Sequence, residues 1–252
     1  MRYENEIYIG TVLMEKNRWA EVRTPTISIS DWTGRFKDEG FDGIELWQNH
    51  AFLADEEERR KLSESPVPVR IFNSYNRCEK ETLDERKRAV EMVNLFSSEG
   101  MKYNFGRDAE RHEEYCASVK EWRDMLPENF RFLCECHGGT TMQNPQKARD
   151  VFLELGLDDY EVIIHGMGGS DENLEKVFQI HDRHITHIHV NVSDWSEKGE
   201  NFLQKRVDLL RELGFRGSYT IEFTEGIKED LSVEQLFKNA ARDMKMLRGC
   251  LK

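Results

Sequence analysis

Eight short runs that read as β-strands, each followed by a stretch with helical periodicity, constrain this chain more than any other feature. The runs are Ile7–Met14, Gly43–Trp47, Val67–Asn73, Lys102–Phe105, Arg131–His137, Glu161–Gly166, Ile185–Asn191 and Gly217–Thr224. Each is apolar or alternating, and most are bounded by Gly, Pro or a charge, the pattern of a buried strand. The helical stretches between them carry start and stop signals. Thr82-Leu83-Asp84-Glu85 has the form of a capping box, and Asn144-Pro145 sets a cap residue before a proline at the first helical position. Ser170 and Ser232 open two further helices, and Gly40, Gly100, Gly156 and Gly214 follow helical runs, as C-terminal glycines do. Asp31–Glu39, Ala54–Ser63, Ala109–Leu126 and Phe202–Leu213 complete eight helices.

Strict alternation demands a parallel sheet with right-handed crossovers, since a hairpin cannot join neighbouring parallel strands. Eight such units in 252 residues predict an α/β fold: one (β/α)8 TIM barrel, with residues 1–252 as a single domain. An open doubly wound sheet would call for a Gly-rich first βα turn, and none is present.

Charge narrows the partners. Asp and Glu number 48 against 36 Lys and Arg, a net charge of −12. Such a surface repels phosphate backbones and anionic lipid heads, so we expect neither a nucleic-acid nor a membrane partner. The start, Met-Arg-Tyr-Glu-Asn-Glu-Ile, has no apolar run, which predicts no secretory leader. Five cysteines, odd in number and without a C-x-x-C pair, read as reduced thiols of a cytoplasmic protein. Nothing in these numbers argues against a homo-oligomer.

In a TIM barrel the chemistry sits at the C-terminal ends of the strands. Alternation puts Glu135 inward if Cys134 and Cys136 face the helices, and it puts His187, His189 and Asn191 on one face. Thr220, Glu222 and Thr224 share another, Glu45 lies opposite Ile44 and Leu46, and His165 ends its strand. Carboxylates and imidazoles converging on one mouth need a counter-charge, and a divalent cation is the simplest. Mixed imidazole and carboxylate donors suit Mn²⁺, Co²⁺, Zn²⁺ or Fe²⁺.

These residues also carry a resemblance. Gly40-Phe41-Asp42-Gly43-Ile44-Glu45-Leu46 resembles the second-strand signature of the xylose-isomerase-like TIM barrels, the superfamily of sugar isomerases, epimerases and AP endonuclease family 2 barrels. Phe132-Leu133-Cys134-Glu135-Cys136-His137-Gly138-Gly139-Thr140 is similar to its fifth-strand L-x-E-N-H-G-G-T, with Cys136 for Asn. Ile185-Thr186-His187-Ile188-His189-Val190 and Ser218-Tyr219-Thr220-Ile221-Glu222 resemble its seventh and eighth strands. In that family a Glu, an Asp, a His and a Glu on strands five to eight hold one divalent metal. The resemblance therefore implies Glu135, His189 and Glu222 as ligands, with His165 at the Asp position. The softer set favours Mn²⁺, Co²⁺ or Zn²⁺ and leaves Mg²⁺ open.

It further implies that Glu135 and Glu222 are the catalytic acid/base pair of an isomerase or epimerase acting on a small keto-sugar or polyol derivative. Glu45, Trp47, His137, His187 and Asn191 are the candidate substrate contacts, with His187 one layer deeper. Asn191 stands where the family has Lys, and Trp195 lies near the ketose 3-epimerases' Arg position. A lyase like the superfamily's inosose dehydratases would use the same site, and a non-catalytic sugar-binding barrel is the reading those lost positions would favour. An AP endonuclease needs histidines where strands three and four have Phe72-Asn73 and Tyr103-Asn104. His112, His181 and His184, in helical stretches, are expected at the surface.

Overall fold

The computed structural model describes residues 3–195, 198 and 200–252. Eight parallel strands close on themselves in chain order: β1 (Ile7–Gly10), β2 (Gly43–Trp47), β3 (Val69–Asn73), β4 (Gly100–Tyr103), β5 (Arg131–Glu135), β6 (Glu161–Ile164), β7 (Ile185–Asn191) and β8 (Ser218–Phe223). β1 pairs with β8 through Ile7–Ile9 and Tyr219–Ile221, which shuts the barrel. Around it run α1 (Thr33–Glu39), α2 (Gln48–Phe52), α3 (Glu56–Ser63), α4 (Leu83–Leu95), α5 (His112–Asp124), α6 (Pro145–Leu155), α7 (Asp171–His181), α8 (Glu200–Glu212) and α9 (Val233–Cys250). The predicted (β/α)8 barrel is the observed one.

Two cores follow from strand alternation. The larger lies between sheet and helices and takes in Ile44, Leu46, Phe72, Met101, Cys134, Val162, Ile188 and Ile221. The smaller, Tyr8, Ile71, Leu133 and Ile163, forms a separate cluster. Leu133 is on the face of β5 opposite Cys134, so this cluster plugs the barrel beneath its mouth. Cys134 is buried on the helix side, as expected, and all five cysteines are free thiols.

The caps hold in part. Asn144, Ser170 and Ser232 accept hydrogen bonds from the backbone N–H groups of Lys147, Asn173 and Gln235. Gly40, Gly156 and Gly214 adopt the left-handed conformation past their helices. The box at Thr82 does not form: its hydroxyl donates to the carbonyls of Arg77 and Glu79 at 2.7 and 2.9 Å, closing a 3₁₀ turn ahead of α4. Gly100 opens β4 rather than ending a helix. β1 stops at Gly10, where the chain turns into 3₁₀ helix, and the short α2 directly after β2 has no counterpart in the sequence reading. His181 is buried, its Nδ1 3.2 Å from the Tyr160 hydroxyl, because α7 turns that face inward. Among the described residues no helix is long and apolar enough to cross a membrane.

The approach of β7 to β8 depends on Gly217, where a Cβ would overlap the Thr186 carbonyl. That carbonyl is backbone and cannot move without disturbing β7. Gly217→Ala should cost about 1–3 kcal/mol, or about 2–4 °C in Tm per kcal/mol for a chain of this size. Gly34→Ala, at an exposed helical position with open space around it, should instead stabilise by about 0.5–1 kcal/mol. Thermal melts of the two variants check both signs; an unchanged Tm for Gly217→Ala would contradict the close approach.

Candidate metal centre and active site

Inward-facing residues from six strands converge toward the C-terminal end of the barrel. Glu45 (β2), Asn73 (β3), Lys102 (β4), Glu135 (β5), His189 (β7) and Glu222 (β8) are all buried, and His165 follows β6 with its side chain one-third exposed. Alternation puts them on the inner face, since most have apolar neighbours on either side that the helices cover.

Four of them form one cluster. Glu135, His165, His189 and Glu222 each offer a ligand atom, and all four atoms lie within 4.8 Å of one another. His165 Nε2 is 3.1 Å from Glu135 Oε1 and its Nδ1 4.0 Å from Glu222 Oε2. His189 Nδ1 lies 3.3 Å from Glu135 Oε1 and 3.5 Å from Glu222 Oε1. Donors bound to one ion at about 2.0–2.3 Å cannot stand more than about 4.6 Å apart, so the cluster has close to the span of a coordination shell.

A divalent ion fits these residues for a second reason. His189 Nδ1 and Glu222 Oε2 are buried without a hydrogen-bond partner among the described residues. Orphaned buried polar atoms are costly and call for an explanation. An ion at the cluster would satisfy both.

Beneath the cluster lies a buried polar floor. Glu45 accepts from Asn73 Nδ2 at 2.6 Å and from Thr220 Oγ1 at 2.7 Å, and sits 3.1 Å from His189 Nε2. Since Thr220 gives its proton to Glu45, it accepts from His187 Nε2 at 2.9 Å, and His187 Nδ1 accepts from Ser218 Oγ at 2.8 Å. That chain assigns His187 as a neutral tautomer. Burial pushes its pKa down to about 4, despite Glu45 nearby. The same logic gives His189 a proton on Nε2, toward Glu45, and turns Nδ1 toward Glu135 and Glu222. A carboxylate behind an imidazole is the pairing that would fix tautomer and ring orientation if His189 held an ion. Burial would raise the Glu45 carboxyl, but His189 and His187 draw it well below the usual carboxylate range.

Glu45 and His187 are both sealed from solvent in this floor, His187 one layer deep as expected and Glu45 against His189. Trp47, at the end of β2, is buried, edge-on to His50 at 5.2 Å and to Tyr75 at 6.4 Å. Asn191 directs its amide oxygen to the N–H and hydroxyl of Ser193, capping a 3₁₀ turn. His137 is exposed on the loop after β5, its ring 5.8 Å from that of His165. It stands beside the partly exposed member of the cluster.

Lys102 is the residue the sequence reading missed. Its Nζ donates to Glu135 Oε2 at 2.6 Å and lies 4.5 Å above the ring of Tyr75. Burial would raise the Glu135 carboxyl, yet Lys102, His165 and His189 hold it well below its ordinary range. The available signal was a lysine between Met101 and Tyr103, an inward position once β4 begins at Gly100.

No protein-family model matches the sequence, and no curated protein is similar to it in sequence. Solved structures do match. D-psicose 3-epimerase from Clostridium cellulolyticum H10, with D-tagatose, superposes with a TM-score of 0.70 at 11% identity, covering 98% of this chain and 99% of the other. The probable 3-DHS dehydratase AsbF from Bacillus anthracis gives 0.68 at 15% identity, over 96% of this chain and 98% of the other. A xylose isomerase-like TIM barrel protein from Mycobacterium smegmatis in complex with magnesium gives 0.62 at 12% identity, over 99% and 98%. These likenesses show the shared (β/α)8 fold, and among the matching chains are xylose isomerase-like TIM barrels, the kind that the sequence motifs resemble.

Two substitutions test the floor. Lys102→Met should leave the Glu135 charge buried without its strongest partner and cost about 3–5 kcal/mol in metal-free protein. Glu45→Gln should weaken Mn²⁺ or Zn²⁺ binding by about 10–100-fold, the cost of losing a supporting carboxylate. Chemical denaturation and metal titration by calorimetry read the two effects; full-strength metal binding in Glu45→Gln would remove its assigned role.

Proposed function

We propose that the protein is a divalent-metal-dependent isomerase or epimerase of a small keto-sugar or polyol derivative, with Glu135 and Glu222 as its acid/base pair. One observation carries this reading. Carboxylates from β5 and β8, strands on different sides of the barrel, stand within 3.3 and 3.5 Å of the same imidazole nitrogen, His189 Nδ1. A substrate seated above that nitrogen has a carboxylate on each flank. The epimerase among the structural neighbours and the magnesium held by another support the class and the need for an ion.

The ligands in this reading are Glu135, His165, His189 and Glu222, for one Mn²⁺, Co²⁺ or Zn²⁺, or Mg²⁺ with lower preference. The ion would supply positive charge where negative charge develops on the substrate's carbonyl oxygen. The protein's own residues do the proton transfer. Glu135, kept ionised by Lys102, removes a proton from the carbon beside the carbonyl. Glu222 delivers a proton to the opposite face, and the reverse reaction exchanges the roles. His137, at the open side, is placed to donate to a substrate hydroxyl. A lyase on the same site is the second reading, favoured by the dehydratase neighbour: loss of a hydroxyl β to the carbonyl would follow the same first step.

Ketoses, sugar phosphates and inososes incubated with metal-loaded protein in D₂O should gain deuterium at the carbon next to the carbonyl. NMR of the products separates epimer from dehydrated product. Glu222→Gln should lower turnover by about 10²–10⁴-fold while Glu135 still exchanges its own proton slowly. No exchange with any substrate of that panel would sink both enzyme readings and leave a sugar-binding barrel.

His165 stands where the family pattern has Asp. His165→Asp should keep metal binding and shift preference toward Mg²⁺, since a carboxylate is the harder donor. Unchanged affinity in His165→Ala would remove His165 from the ligand set.

A further inference from the structure

A second group of donors lies in the helical layer, apart from the strand ends that form the mouth. His112 and Cys116 are four residues apart on α5, so they share one face of that helix. Glu154, on the last turn of α6, reaches them across the α5–α6 contact. His112 Nε2 is 2.8 Å from Glu154 Oε2 and 3.5 Å from Cys116 Sγ, and Cys116 Sγ is 3.8 Å from Glu154 Oε1. The three donor atoms lie within 4.8 Å of one another. Cys116 is buried, His112 partly exposed, and the Glu154 side chain 56% exposed, so the group opens to solvent on one side.

The same three residue types could make a nucleophile, its base and an orienting carboxylate. That arrangement needs the carboxylate on one imidazole nitrogen and the thiol on the other. Here thiol and carboxylate both converge on Nε2, so the imidazole cannot pass a proton between them. Three donors meeting at one point describe a coordination corner instead. Thiolate, imidazole and carboxylate donors around tetrahedral zinc stand about 3.3–3.6 Å apart; the two separations to Cys116 Sγ, 3.5 and 3.8 Å, are close to this, and the hydrogen-bonded His112–Glu154 pair at 2.8 Å would open slightly around an ion. One thiolate and one imidazole also select a borderline-soft ion over Mg²⁺ or Ca²⁺.

We infer that His112, Cys116 and Glu154 form a zinc site between α5 and α6, with water in the fourth position. Coordination displaces the Cys116 thiol proton to solvent. The site ties two neighbouring helices together and does not rest on the proposed isomerase reading.

Co²⁺ titration of the full chain provides the test, because a thiolate bound to Co²⁺ gives a near-ultraviolet charge-transfer band that carboxylate and imidazole donors do not. The mouth cluster has no thiolate among its donors, so the band reports this site alone. It should appear on wild type, be displaced by Zn²⁺, persist in Glu222→Gln and vanish in Cys116→Ser. Glu154→Gln and His112→Ala should weaken Co²⁺ binding by at least about tenfold. Zn²⁺ should also slow alkylation of Cys116, read by peptide mass spectrometry, in wild type but not in His112→Ala. Absence of the band at saturating Co²⁺, its survival in Cys116→Ser, or alkylation of Cys116 indifferent to Zn²⁺ would each overturn the inference.

Discussion

A carboxylate sealed beneath the barrel mouth is the constraint on which the rest of the site depends. Glu45 is fully buried and accepts hydrogen bonds from Asn73 and Thr220, with His189 beside it. An isolated ionised carboxylate at such depth would be prohibitively costly. It persists because β3, β7 and β8 each bring a donor to it: Asn73, His189 and Thr220. Glu45, so held, fixes the orientation of His189, and His189 in turn fixes where Glu135 and Glu222 can meet. The site is therefore held from below by strands, not from above by loops, which is the rigidity an acid/base pair requires.

The division between strand ends and loops separates what the barrel decides from what it leaves open. Glu135 and Glu222, and the imidazole of His189 between them, come from strands and are set by the closed register of the sheet. His137 and His165 stand just beyond β5 and β6, on the segments that differ most freely among barrels of one fold. An epimerase and a probable dehydratase superpose on this chain about equally well. Fold similarity therefore does not choose between the two reactions those neighbours are named for.

Much of this was legible in the sequence for identifiable reasons. Strand alternation is a local rule, so Glu135, His189 and Glu222 could be placed on one face from their immediate neighbours. Depth is not local. Whether an inward residue reaches the mouth or stops a layer below depends on the stagger of all eight strands around the barrel. That is why the full burial of Glu45 was not legible from its neighbours. Lys102 was lost to a two-residue error in where β4 begins, which hid its inward face. The unformed box at Thr82 shows another limit: the four-residue pattern is present, but a 3₁₀ turn closes first and takes its hydroxyl.

The charge balance of the mouth shows why so many cations are gathered there. Glu45, Glu135 and Glu222 bring three carboxylates into one buried volume, and Lys102 is the only lysine or arginine that pairs with any of them among the described residues. Without an ion, imidazoles take up the difference. Burial works against charging His165 and His189, but the surrounding carboxylates raise both above their ordinary pKa. A divalent cation would take over that role, and Nδ1 of His189 can bind it only after giving up any proton it carries. Protons and metal are then alternative counter-charges for the same carboxylates, so metal binding must release protons and weaken as the pH falls through the imidazole range. The barrel tolerates three buried carboxylates because its mouth always offers them one counter-charge or the other.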